Sequence, residues 1–188
     1  MTDSLERMVG DWPVEAAEAA RLTAERYGPP DETMPSRLVW NHALPWKRVV
    51  VNRDASEHRF PMPHVDRMEN WIDLEVPRES AADLAAFNGS IRVERTRGEM
   101  AVTCDVEAIN FLAVNLAHDL VKGRINVDEA RREYTEMAAG HLMGRPQPYT
   151  SGLAFAPVDA GAGTADEDEP VAPHHVPTVD TRRMGRRK

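Results

Sequence analysis

"SIRVERTRGEMAVTCD", residues 90–105, runs without a break into "VEAINFLAVNLAHDLVK", residues 106–122, and these two stretches decide the fold. In the first, Ile91 and Val93 alternate with Arg92 and Glu94, Arg97-Gly98 supplies a turn, and Met100, Val102 and Cys104 alternate on the return. Period-two alternation around a glycine turn predicts a β-hairpin with one buried face. In the second, apolar residues occupy most of the circumference at helical spacing, which predicts a helix buried at the centre of the protein. Asp105 is placed to cap its start and Gly123 its end. A half-buried hairpin beside a buried helix points to an α+β fold, the helix covering the apolar face of an antiparallel sheet.

Upstream, "WIDLEV" (71–76) sets Ile72, Leu74 and Val76 on one face and Trp71, Asp73 and Glu75 on the other, the period of a half-buried strand. "SRLVWN" (36–41) and "WKRVVVNR" (46–53) predict two further strands joined through residues 42–45. Residues 54–67 carry two prolines and read as an irregular connection. The alanine-rich "VEAAEAARLTAERY" predicts a first helix, capped by Asp11 and stopped at Gly28. "ESAADLAAF" predicts a short helix ending at Asn88-Gly89, and Asn126 with Glu129 resembles a capping box that opens a last helix to residue 142. The predicted order is α-β-β-β-α-β-β-α-α, with a sheet of about five strands.

The chain has 188 residues and a net charge of −8. An acidic body is a poor general surface for nucleic acid, which needs clustered Lys and Arg. The most apolar stretch, residues 108–117, is ten residues long and contains two asparagines, about half of what a bilayer span requires. One cysteine, Cys104, excludes an internal disulfide and fits a reducing compartment. With no apolar leader at the start, the expectation is a cytoplasmic protein. After Phe155 there is no Phe, Tyr or Trp. Residues 1–156 are therefore expected to form one α+β domain, and residues 157–188 a disordered charged tail ending in Arg182, Arg183, Arg186 and Arg187.

The segment "HRFPMPHVD" (58–66) carries His58, His64 and Asp66, two imidazoles and a carboxylate, the donor set of many zinc and non-haem iron sites. Their spacing matches no strong local metal motif, and in an extended chain the two histidines stand about 20 Å apart. They share an ion only if the loop turns back, and the spacing by itself favours a rigid connector whose Phe60 and Met62 plug the core. Asn110, Asn115, His118 and Asp119 place polar groups on the buried helix, where they need hydrogen-bond partners. His118 is a candidate general base, although a structural hydrogen-bonding role is favoured. Cys104 reads as a small buried hydrophobe.

Trp40, Trp46 and Trp71 are candidates for an interaction surface, although packing in the core is favoured for large aromatics. The preferred reading is a non-enzymatic cytoplasmic binding or accessory protein, acting through protein contacts as a homo-oligomer or subunit and needing no cofactor. Two others compete with it. One is a hydrolase using a divalent transition metal at His58, His64 and Asp66. The other is weak nucleic-acid contact through the basic C-terminal end.

Overall fold

The computed structural model describes residues 2–157. The tail, with Arg182, Arg183, Arg186 and Arg187, lies outside the described residues. Two helices, α1 (Thr2–Val9) and α2 (Val14–Tyr27), precede four strands, β1 (Glu32–Met34), β2 (Arg37–Asn41), β3 (Arg48–His58) and β4 (His64–Asp73). Helix α3 (Ala81–Phe87), strands β5 (Arg92–Glu94) and β6 (Glu99–Cys104), and helices α4 (Glu107–Val121) and α5 (Val127–Leu142) follow. The strands form one antiparallel sheet in the order β1-β2-β3-β4-β6-β5. The architecture is the α+β class expected from the hairpin and the apolar helix.

Side-chain alternation sorts the sheet into two faces. Val49 and Val51 of β3, Met68 and Ile72 of β4, and Met100, Val102 and Cys104 of β6 join the main core with α4. Helix α4 is buried almost all round, from Ile109 to Leu120, as its apolar circumference predicts. Val39, Val50, Trp71 and Ala101 make a small second core on the opposite face. That face is closed by cations: the Arg48 guanidinium lies 4.0 Å from the Trp71 ring centre, and Arg92 lies 5.4 Å from it. Arg48 is held in turn by Glu99 at 2.7 Å, and Lys47 joins Glu99 to Asp73.

Several boundaries differ from the sequence expectation, each for a local reason. The sheet has six strands rather than five among the described residues because β1 is a three-residue edge strand with no buried side chain, hence no alternation to read. Helix α1 was not anticipated. Helix α2 begins at Val14 because Pro13, with ψ 143°, is extended, and Asp11 faces Arg53 instead of capping. Asp105 likewise leaves the start of α4 uncapped and accepts from Arg67 Nε at 3.1 Å. The Asn126–Glu129 capping box of α5 is present with both reciprocal bonds.

The largest difference concerns residues 54–67. They are not an irregular connection: β3 continues to His58 and β4 starts at His64, leaving residues 59–63 as the loop of a hairpin. Polar residues make up these strand ends, so their strand character comes from cross-strand pairing and leaves no apolar pattern in the sequence.

Helix α4 is tied to the sheet by Asn110, fully buried, whose Nδ2 donates to the Met68 carbonyl at 3.0 Å and to Asn70. Removing a buried donor strands its acceptors, so Asn110→Ala should destabilise the protein by about 2 kcal/mol in urea denaturation. Val14→Ala, at a position 74% exposed, should change stability by less than about 0.5 kcal/mol. An unchanged midpoint for Asn110→Ala would contradict the tie.

Candidate functional site

Cross-strand partners in an antiparallel pair bring their Cβ atoms within about 5.5 Å, and the β3–β4 hairpin makes His58 and His64 such partners. Asp66 follows His64 by two residues, so it projects from the same face. The imidazole centres are 4.8 Å apart. Asp66 reaches both rings, with Oδ2 3.4 Å from His58 Nδ1 and Oδ1 3.2 Å from His64 Nε2. One donor atom from each of the three residues lies within 4.8 Å of the others. The loop does turn back, and the three residues that the sequence singled out converge.

A β-bulge arranges this. Between the pairs Val51–Met68 and Ser56–Asp66, β3 passes through residues 52–55 while β4 passes through Arg67 alone. The hairpin tip is then clamped from outside. Phe60 stacks on Tyr134 of α5 at 5.5 Å, and the Arg131 guanidinium covers the other ring contact at 3.8 Å. Arg131 is itself anchored on the Phe87 carbonyl at 2.8 Å. Phe60 thus has the packing role expected of it.

Hydrogen bonding fixes the state of the cluster. His64 Nδ1 lies 2.8 Å from the Met62 carbonyl. A carbonyl only accepts, so Nδ1 carries the hydrogen. In the neutral ring, Nε2 is then a lone pair pointing at the Asp66 Oδ1 lone pair, and neither buried atom has a hydrogen-bond partner. A cation, either a proton or a metal, would join two such acceptors 3.2 Å apart. Burial holds His58 below the usual histidine range, Asp66 opposing and His64 reinforcing. Burial thus favours the neutral form of the ring, the form that ligates metals.

Ser90 completes the cluster, and no sequence pattern announced it. It stands in the loop between α3 and β5, where its backbone N–H donates to Asn88 Oδ1 at 2.9 Å. Its hydroxyl donates to Asp66 Oδ2 and lies 3.1 Å from His58 Nδ1. Ser90 and Asp66 meet the same imidazole nitrogen, whereas a nucleophilic triad needs them on opposite nitrogens. The arrangement is therefore a donor cluster with a serine holding its carboxylate. Asp66 and Ser90 also line an open polar cleft of about 450 Å³. Cys104 is buried nearby in the main core, and burial pushes its thiol up to about 11, so it stays protonated and inert.

His118 does not join this group. Its ring stacks on Phe155 at 3.9 Å and 6°, and its nearest carboxylate is Asp119. The polar residues of α4 instead strap down the segment after α5. Asn115 Nδ2 donates to the Gly152 carbonyl at 2.8 Å, the Ala154 N–H donates back to Asn115 Oδ1, and Tyr149 donates to Asp119 at 2.8 Å. The three tryptophans expected at a contact surface are buried: Trp40 is 1% exposed, Trp46 0% and Trp71 8%. Trp46 stacks on Phe111 at 4.6 Å and donates to Glu107, which also accepts from Tyr27 and pairs with Arg26. Trp40 donates to the Gly28 carbonyl at 2.8 Å, and Trp71 lies under Arg48 and Arg92. A contact reading therefore has no exposed ring from these three behind it. Among the described residues no helix is long and apolar enough to cross a membrane.

Comparison with known proteins adds nothing to this geometry: no family, no curated protein and no solved structure matches the chain.

The strap has a pH signature of known sign. Burial holds His118 below the usual histidine range, Arg124 pushing the same way and Asp119 opposing. The unfolded chain therefore takes up this proton first on acidification. The stability contributed by neutral His118 is complete above about pH 6.5 and is lost as pH falls through the lowered folded value. His118→Phe keeps a ring on Phe155 and removes the proton site. The wild-type urea midpoint should therefore fall more steeply than the variant's between about pH 7 and pH 5. Parallel curves would contradict this.

Proposed function

We propose that this protein is a metal-dependent enzyme of the hydrolase class, with His58, His64 and Asp66 holding one divalent transition ion, zinc foremost. The observation that carries the proposal is the convergence of His58, His64 and Asp66, one donor atom of each within 4.8 Å of the others, on a His64 imidazole whose other nitrogen is already committed to the Met62 carbonyl. Ligand atoms about 2.0–2.1 Å from a tetrahedral zinc stand about 3.3 Å from one another. The 3.2 Å between His64 Nε2 and Asp66 Oδ1 agrees with such an edge. Two nitrogens and one oxygen without a thiolate suit zinc, or ferrous iron in a two-histidine, one-carboxylate site.

Three protein ligands leave coordination positions for water and substrate, the mark of a catalytic rather than a structural zinc. A zinc held there would lower the pKa of a bound water to about 7 and so supply hydroxide at neutral pH. The chain's own part is orientation. The Met62 carbonyl fixes the His64 tautomer, and Ser90 holds Asp66 Oδ2 so that Oδ1 faces the imidazole. Such supporting bonds typically govern metal affinity by a factor of about 10–100.

Equilibrium dialysis of the full chain against zinc should give one tightly held ion per molecule. His64→Ala and Asp66→Ala should abolish it while leaving the far-ultraviolet circular dichroism unchanged. Ser90→Ala should keep the stoichiometry and weaken affinity by about 10–100-fold. Substoichiometric zinc that is indifferent to all three substitutions would overturn the proposal.

A further inference from the structure

We infer that the cleft beside the cluster takes a small zwitterion, a free amino acid or short peptide, with its carboxylate on Arg37 and its ammonium on Asp54. This rests on the metal reading in one respect: the ion would sit at the end of the cleft marked by Asp66 and Ser90. A volume of about 450 Å³ accommodates a small ligand of this kind. The remainder of the lining is hydroxyl- and amide-rich, with Ser36, Ser56, Thr103 and Asn52. Such a lining suits a polar ligand.

The charges decide which ligand. Arg92 lines the cleft but is held by Glu69 at 2.6 Å, and Glu69 also accepts from Asn52 and Trp71. Asp66 belongs to the donor cluster. This leaves Arg37 and Asp54, both exposed. Among the described residues, neither side chain makes a hydrogen bond or an ion pair. They are close along the sheet, since Arg37 pairs with Asn52 and Asp54 follows two residues later, yet no ion pair joins them. The bulge between Val51 and Ser56 includes Asp54, so its direction is not set by the regular register.

One open cation and one open anion on the wall of one cleft complement a molecule that carries both charges. A dianion such as a phosphate monoester would gain Arg37 but face Asp54. A neutral ligand would leave both charges unmatched. Guanidinium matches carboxylate through paired N–H donors, and a carboxylate accepts from each ammonium hydrogen.

The test uses the zinc-loaded full chain and three probes: alanyl-alanine with free termini, its N-acetyl form and its C-terminal amide, each titrated by calorimetry. The free dipeptide should bind about tenfold more tightly than either capped form, the fold-change of one charge-assisted hydrogen bond. Arg37→Gln should abolish the penalty of amidation and keep that of acetylation. Asp54→Asn should do the reverse. Both positions are exposed, so folding is not at issue. Equal affinity for the three probes, or no dipeptide binding at all, would overturn the inference. Zinc measured in the same samples separates the two ideas. Bound zinc without dipeptide preference removes the zwitterion and leaves the metal site, whereas absent zinc removes the metal site itself.

Discussion

Strand side chains alternate faces, so an odd surplus of residues in one strand of a pair exchanges the residues that it presents. The rest of the candidate site depends on this constraint. Continued unbroken, the Val51–Met68 register would set Arg53 opposite Asp66 and Ala55 opposite His64. The bulge replaces them with Ser56 and His58. One irregularity therefore converts the same hairpin from an apolar wall, built on Val49 and Val51, into a donor cluster at its tip. The clamp of Phe60 between Tyr134 and Arg131 then holds the tip against α5.

Helix α4 solves the complementary problem. A helix buried on every side has no solvent in which to place polar groups, so each must find a partner inside the protein. Asn110 finds the sheet, while Asn115, His118 and Asp119 find the segment that follows α5. Polar residues that offer a candidate base in the sequence thus organise the core and its cover. The two imidazoles and the carboxylate that converge are those of the hairpin tip.

How much of this was legible follows from where the apolar pattern persists. The hairpin of β5 and β6, the buried helix α4 and the capping box of α5 leave periodic or motif signals, and the fold class follows from them. The donor set His58, His64 and Asp66 was visible as residue types. Its convergence was not, because polar strand ends carry no alternation and a bulge has no signature of its own. The symmetric placement of the two histidines about Pro61 was the one available hint, since it suits a five-residue hairpin loop. Ser90 is 24 residues from Asp66, and nothing local connects them. Trp40, Trp46 and Trp71 were ambiguous for a different reason: indole is as well suited to a core as to an interface, and its N–H finds an internal acceptor in each of the three.

The most direct test of the central claim is X-ray absorption at the zinc edge of the loaded full-length protein. The account predicts a first shell of nitrogen and oxygen alone at about 2.0–2.1 Å, with the outer-shell scattering of two imidazoles and a solvent ligand completing the sphere. A sulfur neighbour at about 2.3 Å, or a shell without imidazole scattering, would place the ion elsewhere and contradict the assignment of the hairpin tip as the metal centre.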